Sequence, residues 1–356
     1  MKEMWRKDEH KPWLIAGPCS AESFEQLRET VLAVHDLGIT TVRAGIWKPR
    51  TRPNNFEGVG KEALSWIQEI KQEIDVQFAI EVASSKHVDL ALKNGIDIVW
   101  IGARTSVNPF SVQEIAEALQ DSDIPVLIKN PINPDPDLWM GGIERLANVG
   151  LSKVGAIHRG FSAFKKTEYR NQPLWQIAIE LKRSLPHIPL ICDPSHIGGD
   201  RSMIFDISQK ALDLRYDGLM IETHPNPPKA LSDPKQQVTP GQLKDIVTNL
   251  QIRNNRIDDV FFQSKLDELR NKIDSIDHDI IENLTSRMKL IEEIGDYKEQ
   301  NNVAILQIER WNEILRTRKK WSQDVGLSDD FIEDIYTLIH ADSIKRQTEI
   351  FNKTKK

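Results

Sequence analysis

Residues 97–103 have the sequence DIVWIGA, and residues 125–130 have the sequence PVLIKN. Both are short, nearly continuous apolar runs that end in polar residues. Such runs are typical of parallel strands that are buried on both faces. Six more runs of this kind occur in the first part of the chain: 13–17 (WLIAG), 41–45 (TVRAG), 77–83 (QFAIEVA), 153–160 (KVGAIHRG), 189–193 (PLICD) and 218–224 (GLMIETH).

Amphipathic helical stretches separate these runs, for example at 24–37, 61–70 and 111–119. Eight strand–helix units within about 250 residues match a (β/α)8 barrel of the α/β class. An open, doubly wound sheet is the alternative. The similar spacing of all eight strands favours the closed barrel.

The last third of the chain has a different composition. All 18 prolines of the 356 residues lie at or before Pro240, and only Gly241, Gly295 and Gly326 of the 18 glycines follow it. Because long helices exclude proline and glycine, this part is predicted to be all-helical. Apolar residues at spacings of three and four form a long seam: Leu266, Leu269, Ile273, Ile276, Ile280, Leu284, Met288, Ile291 and Ile294.

We therefore predict a barrel domain over 1–250, a polar linker over 251–262 and a helical domain over 263–356. Two further helices are expected at about 305–321 and 329–350. Three helices are too thin to bury their own apolar faces. A homodimer through the helical domain is the predicted solution.

Composition excludes several classes of protein. Hydrophobic residues make up 39% and charged residues 28%, and no run of about 18 apolar residues occurs, so we expect no membrane span. A net charge of −6 argues against a nucleic-acid binder. The charged N-terminus is unlike a signal peptide, and two cysteines, Cys19 and Cys192, indicate a reducing compartment, so we expect a cytoplasmic protein.

Cations follow several of the predicted strands. The active sites of such barrels lie at the carboxyl ends of the strands, where side chains point inward. Arginine binds phosphate and carboxylate groups through two hydrogen bonds, and lysine adds a point charge. The pattern predicts a ligand with several negative charges, although single surface cations are usually only solvated. The cations are Arg43, Lys48, Arg50, Arg104, Lys129 and Arg159.

A second set of strand-end residues offers metal ligands. Cys19, His196, Glu222 and Asp233 combine a thiol, an imidazole and two carboxylates. This set suits a divalent first-row metal such as Mn²⁺, Fe²⁺, Co²⁺ or Zn²⁺. No short spacing links the four. Taken singly, each has a purely structural alternative: Cys19 as a small buried hydrophobic residue, and His196 as a capping or hydrogen-bonded core histidine.

Motifs in the barrel part resemble those of type I-beta 3-deoxy-D-arabino-heptulosonate 7-phosphate (DAHP) synthases. They are GPCSAES at 17–23, KPRT at 48–51, GART at 102–105, HRG at 158–160 and DPSH at 193–196, with the Lys129 strand and the segment from Glu222 to Asp233. The resemblance runs from about residue 11 to about residue 250. That family condenses phosphoenolpyruvate with erythrose 4-phosphate and releases phosphate.

The resemblance implies a role for each residue of the two sets. The metal ligands would be Cys19, His196, Glu222 and Asp233, of which Cys19 and His196, with Lys48, would be catalytic. Phosphoenolpyruvate would be bound by Arg43, Lys48, Arg104, Lys129 and Arg159. Erythrose 4-phosphate would meet Arg50 and Thr51. Arg52 departs from the family pattern, in which a small residue is more usual.

The helical part resembles all-helical chorismate mutases, from about residue 264 to about residue 349. The matching pieces are LDELRNKIDSID at 266–277, EIGDYK at 293–298, QIER at 307–310 and ADSIKRQ at 341–347. That family converts chorismate to prephenate by an intramolecular rearrangement that needs no cofactor. The implied substrate-binding residues are Arg270, Arg287, Lys298, Arg310, Ser343 and Gln347, with Lys298 and Gln347 as catalytic donors to the ether oxygen.

Helix geometry constrains this site. Arg270 lies about 25 Å from Arg287 along an unbroken helix, so it cannot reach the same small ligand within one chain. An Arg270 from a second chain in an antiparallel dimer could. Trp311 stands where the family often has an acidic residue for the substrate hydroxyl.

The prediction is a bifunctional synthase and mutase of the shikimate pathway. One alternative makes the helical domain a non-catalytic module for regulation and dimerisation. Another makes the barrel a Schiff-base aldolase that uses Lys129 or Lys48. Only about a dozen residues precede the first predicted strand, so we expect the effector, prephenate or chorismate, to inhibit the synthase through the helical domain.

Overall fold

The computed structural model describes residues 11–48, 56–163, 167–253 and 260–353. Contacts between residues divide the chain into two units, 1–253 and 254–356. The predicted linker, 251–262, spans this division. The two units are described separately below.

The first unit is a closed barrel of eight parallel strands in sequence order, in which β1 pairs with β8. The predicted barrel is confirmed, and the open-sheet alternative is wrong. The strands are β1 (Trp13–Gly17), β2 (Thr41–Ala44), β3 (Gln77–Val82), β4 (Ile98–Ile101), β5 (Val126–Lys129), β6 (Val154–His158), β7 (Leu190–Cys192) and β8 (Gly218–Glu222).

Helices connect and cover the strands. They are α1 (Phe24–His35), α2 (Glu62–Glu73), α3 (Ser85–Lys93), α4 (Pro109–Leu119), α5 (Pro136–Asn148), α6 (Trp175–Ser184), α7 (Pro194–Gly198), α8 (Ile204–Asp213) and α9 (Pro240–Asn249), with short 3₁₀ helices at Arg201–Met203 and Pro227–Lys229. Side chains of Ser23, Ser84, Asn108 and Asp135 accept hydrogen bonds from the first turns of α1, α3, α4 and α5. Such N-caps fix where a helix begins after its strand.

The core of the barrel unit has two layers. The larger layer lies between the strands and the helices. The smaller one fills the barrel and includes Ile15, Leu127 and Ile157. Since side chains alternate along a strand, Lys129 and Arg159, each two residues beyond an inward residue, face the carboxyl-end mouth of the barrel. The fold itself therefore brings these two predicted cations to the same mouth.

The second unit is helical throughout, as predicted. It consists of α10 (Val260–Gln300), α11 (Ile308–Asp324) and α12 (Asp329–Lys353). The seam on the first half of α10 is exposed among the described residues: Leu269 is 46% exposed and Ile276 is 58% exposed. None of the described helices is both long and apolar enough to span a bilayer.

Candidate active sites

Two buried cations near the barrel mouth lie close to one aromatic ring. The guanidinium of Arg43 lies 5.1 Å and the ammonium of Lys129 lies 5.6 Å from the centroid of Trp100. Each cation also has an anionic partner, since Nη2 of Arg43 is 3.1 Å from Oε1 of Glu222, and Nζ of Lys129 is 2.8 Å from Oδ2 of Asp193. Buried charged groups in proteins are usually paired with an opposite charge, as these two are.

Cys19 lies two residues beyond the end of β1 and close to Arg43. Its thiol is fully buried, 3.1 Å from Nζ of Lys48 and 2.8 Å from the hydroxyl of Ser232. Lys48 also donates to the Cys19 carbonyl at 2.8 Å. Gly45 leaves room for this approach, because a Cβ there would lie 2.2 Å from the same carbonyl oxygen. Burial, followed by the charge of Glu222, raises the pKa of Cys19 to about 12 even with the Lys48 ammonium beside it, so the free side chain is a thiol at neutral pH.

Three metal-donor atoms meet at this point. The sulfur of Cys19 and a carboxylate oxygen from each of Glu222 and Asp233 all lie within 4.8 Å of one another. Asp233 adopts a left-handed backbone conformation, with a φ of 47°. Its Oδ1 is 3.0 Å from Nη1 of Arg170, and Gln236 donates to Oε2 of Glu222 at 2.6 Å. The two carboxylates are thus held by side chains outside the donor group.

His196 lies next to this group without being part of it. Its Nε2 is 3.8 Å from Oε1 of Glu222, and its Nδ1 is 2.8 Å from Oδ2 of Asp193. Asp193 caps α7 by accepting from the His196 backbone N–H. Burial opposes ionisation of Asp193, but the nearby His196 and Lys129 outweigh it and hold the pKa of this carboxyl well below its usual range. One anion therefore orients both a predicted metal ligand and a predicted substrate cation.

Arg159 extends the cationic surface of the mouth. Its Nη1 donates to Oδ1 of Asn171 at 2.7 Å, and its backbone N–H donates to Asn130 at 2.7 Å. Burial, with the positive charges of Arg170 and Arg104, lowers the pKa of Arg159 to about 10 against the opposing charge of Asp193. Because these cations raise one another's energy, an anionic ligand would be bound favourably here.

The structure thus brings most of the predicted barrel residues together. Arg50 and Thr51, predicted to meet erythrose 4-phosphate, lie outside the described residues, as does Arg52. Trp100, Arg170 and Gln236 were not among the predicted site residues, and Asp193 appeared only in a predicted strand and in the DPSH motif, with no role. Asp193 directly before a proline at a helix start was an available signal for a cap. The other three have no local signal, since each acts through a partner distant in sequence.

In the helical unit, α10 and α12 bring predicted residues into contact. Nη1 of Arg287 donates to Oγ of Ser343 at 2.9 Å. Gln347 is buried, and its amide nitrogen lies 3.3 Å from the Ser343 carbonyl oxygen, to which it donates. Gly295 allows close packing at this place, because a Cβ there would lie 3.2 Å from Cγ of Gln347. Lys298 donates to the carbonyl of Ile305 at 2.7 Å, and burial lowers its pKa.

Arg270 and Arg310 are not gathered with these residues. Each is exposed and pairs with an acidic residue one turn along its own helix, Arg270 with Asp267 and Arg310 with Glu313. The unbroken α10 carries both Arg270 and Arg287, so the expected separation within one chain holds. Trp311 stacks on His340, with ring centroids 4.0 Å apart and planes 8° apart.

A closed (β/α)8 barrel with buried cations and metal donors at its carboxyl-end mouth defines an enzyme for anionic substrates. The chain belongs to the DAHP synthetase I family, whose model matches residues 3–258. The chorismate mutase type II family matches residues 269–348. The chain therefore carries a DAHP synthase domain, a transferase, followed by a chorismate mutase domain, an isomerase, and both predicted resemblances are confirmed.

Individual proteins show the same likeness over the barrel. The chain is 32% identical over 237 residues to a phospho-2-dehydro-3-deoxyheptonate aldolase of Thermotoga maritima, which covers 67% of this chain and 68% of that protein. It is 28% identical over 255 residues to a 2-dehydro-3-deoxyphosphooctonate aldolase of Desulfotalea psychrophila, covering 67% of this chain and 88% of that protein.

Two solved structures resemble this chain. The crystal structure of the Thermotoga maritima DAHP synthase superposes with a TM-score of 0.60 at 31% identity and covers 66% of this chain and 67% of that one. A truncated form of the synthase from the same organism has a TM-score of 0.58 at 29% identity, covering 66% of this chain and 83% of that one.

Proposed function

We propose that the barrel catalyses a metal-dependent, aldol-like condensation of phosphoenolpyruvate with erythrose 4-phosphate, giving DAHP and phosphate. The observation that carries this proposal is the juxtaposition of the Cys19, Glu222 and Asp233 donor atoms, within 4.8 Å of one another, with the buried cations Arg43 and Lys48. Both substrates are anions. A mouth that combines cations with a metal group suits their reaction.

The donor chemistry fits a divalent first-row metal. One thiol and two carboxylates at this separation, with the imidazole of His196 beside them, match Mn²⁺, Fe²⁺, Co²⁺ or Zn²⁺. When bound by these residues, such an ion would act as a Lewis acid toward the aldehyde oxygen of erythrose 4-phosphate. Metal binding would require the Cys19 thiol to ionise, and a bound cation would offset the burial that raises the pKa of this group.

The cations of the mouth bind and orient the substrates in this proposal. Arg43, Lys129 and Arg159, with the exposed Arg104, hold the phosphate and carboxylate of phosphoenolpyruvate. Arg50 and Thr51 take the phosphate of erythrose 4-phosphate. Lys48, in contact with Cys19, completes the catalytic set with Cys19 and His196. Neutralising both anions reduces the repulsion between the substrates, so their reacting carbons can approach. Because these cations are already fixed in place, the protein does not reorganise to provide the charge.

Metal depletion and reconstitution of the full chain tests this proposal. The assay follows phosphate release from phosphoenolpyruvate that depends on erythrose 4-phosphate. We expect a chelator to abolish the activity and one or more of the four ions to restore it. Full activity after verified metal removal, together with borohydride trapping of a substrate on Lys129 or Lys48, would instead support the Schiff-base alternative.

We propose that the helical domain rearranges chorismate to prephenate. The contact between Arg287 and Ser343, with Lys298 and Gln347 on the same two helices, supports this assignment. The arginines hold the two carboxylates, and Lys298 and Gln347 donate to the ether oxygen as its bond breaks. Chorismate turnover by the full chain tests it. No turnover would favour the alternative of a non-catalytic regulatory and dimerisation module.

We also propose that prephenate or chorismate bound at the helical domain inhibits the synthase. The effector must bind one state of the protein better than another, and barrel substrates must then alter its affinity by the same factor. We expect Arg287→Ala to relieve prephenate inhibition while leaving the uninhibited synthase rate unchanged. A chain ending near residue 260 should also be insensitive. Undiminished inhibition in both proteins would place the sensor elsewhere.

A further inference from the structure

His340 lies on the helix face that carries two residues of the proposed mutase site. It precedes Ser343 by three residues and Gln347 by seven, spacings that place all three side chains on one face of α12. From α11, the indole of Trp311 stacks on the imidazole of His340 at 4.0 Å with nearly parallel planes. The ring of His340 is therefore fixed in plane at the edge of the site.

Two polar atoms on this face are buried without a hydrogen-bond partner among the described residues. They are Nε2 of His340 and Oε1 of Gln347. Nearly all buried polar atoms in native proteins are hydrogen-bonded to protein or to bound molecules. The unpartnered Nε2 of His340, three residues before Ser343 and its contact with Arg287, indicates a ligand that supplies the missing partner.

Burial and the nearby charges set the protonation state of the His340 imidazole. Burial lowers the pKa of His340, and the positive charges of Arg287 and Lys298 on α10 lower it further. The imidazole is therefore neutral at pH 7. It adds a hydrogen-bonding group to this face of α12 without adding a further positive charge, and either tautomer can pair with a hydroxyl.

One polar group of chorismate has no partner among the residues already assigned to the mutase site. Arginines suit its two carboxylates, and Lys298 and Gln347 suit its ether oxygen. The ring hydroxyl remains. Trp311 lacks a carboxylate for it, but Trp311 lies directly against His340.

We propose that His340 binds the ring hydroxyl of chorismate through Nε2, and that Trp311 holds the imidazole in place by stacking. This inference rests on the proposed mutase function. It makes the pair a determinant of specificity for the hydroxylated substrate. A site that pairs a substrate hydroxyl discriminates against an analogue that lacks it.

The test compares chorismate with an analogue that lacks the ring hydroxyl, using the full chain. The variants are His340→Leu, His340→Gln, Lys298→Ala as a reference for the site, and His278→Leu as a matched control. His278 is an exposed histidine on α10, with 72% of its side chain accessible. Thermal melts followed by circular dichroism verify that each variant is folded.

We expect His340→Leu to lower kcat/KM for chorismate about tenfold, as for one hydrogen bond, and to leave the analogue within about twofold of wild type. His340→Gln should retain more activity than His340→Leu, and His278→Leu should behave as wild type. Equal losses on both substrates, or no loss on either, overturn the inference.

The same experiment separates this inference from the mutase function on which it rests. If Lys298→Ala is inactive and His340→Leu is unaffected, the mutase function stands and the role of His340 is wrong. If wild-type protein does not turn over chorismate, both fail.

Discussion

The barrel mouth and the helical site both bind anions in our proposals, but they hold their charges differently. In the barrel, Arg43 and Lys129 are buried and each already pairs with a carboxylate. In the helical unit, Arg287 is only half-buried and its partner is a neutral hydroxyl, while Arg270 is exposed. Charges buried in pairs are costly to disturb singly, whereas exposed charges are not.

This difference follows from the two architectures. A closed barrel brings strand ends from the whole unit to one mouth, so a side chain can be neutralised by another that is far away in sequence. In a unit of three helices, a side chain lies on one helix face and contacts few residues of the other helices. The barrel site is therefore largely preorganised within the chain. The helical site needs its ligand to be complete and, if the dimer predicted from the sequence forms, Arg270 of a second chain.

The largest effect is expected from removing the sulfur of the donor group. Cys19→Ala should abolish synthase activity, because the proposed metal loses a ligand, and should leave mutase activity unchanged. Cys192→Ala is the matched control, since Cys192 is the other buried cysteine and belongs to the core between strands and helices. Both activities and the bound metal, by elemental analysis, are measured. Normal synthase activity and metal content in Cys19→Ala would refute the ligand assignment.

The second-largest effect is expected at the helical site, where the substitution should lower mutase activity and leave synthase activity unchanged. Lys298→Ala should lower mutase kcat by about 10²–10³-fold, the usual loss when one donor to a developing negative charge is removed. The synthase rate should not change. Lys272→Ala on the exposed part of α10 serves as the control. Comparable mutase losses in both variants would show that Lys298 acts only through helix stability.

A smaller effect is expected from the two arginines assigned to different substrates. Arg50→Ala should raise the KM for erythrose 4-phosphate, and Arg104→Ala should raise the KM for phosphoenolpyruvate. About tenfold to a hundredfold is reasonable for a hydrogen bond to a charged group. Initial-rate kinetics with each substrate varied in turn give the answer. If both variants raise the same constant, the division into subsites is wrong.

The two regions also differ in what the sequence predicts. The apolar runs predicted all eight strands because parallel strands buried on both faces tolerate few polar residues. Rise and turn per residue are fixed in a helix, so the separation of Arg270 from Arg287 follows from their positions in the sequence. Regular geometry is what makes both predictions possible.

Contacts between elements could not be derived this way. Cys19 and Asp233 are separated by 214 residues, and no spacing rule brings them together. The same holds for Asp193 with Lys129, and for Trp311 with His340 on the next helix. Motif resemblance identified the residues expected at the barrel site, but their buried counter-charges depend on how separate elements pack.

The smallest effect is expected from the exposed seam of α10. Here the two units differ most in how far their apolar residues are buried. Ile273, Ile276 and Ile280 are each more than half exposed, unlike any strand residue of the barrel core. A second copy that covers them would also bring its Arg270 toward the first site. We expect Ile276→Lys to weaken a dimer and to make mutase activity fall on dilution by a few-fold more than in wild type, with the synthase rate unchanged.

Analytical ultracentrifugation over a range of concentrations checks this expectation. Ile281→Lys is the control, because Ile281 is equally exposed but lies about 90° from the centre of the seam at 100° per residue. A lysine there adds the same charge to the same helix. If both variants sediment as wild type and keep their mutase activity at low concentration, the seam is not the dimer interface, and Arg270 has no route to the neighbouring site.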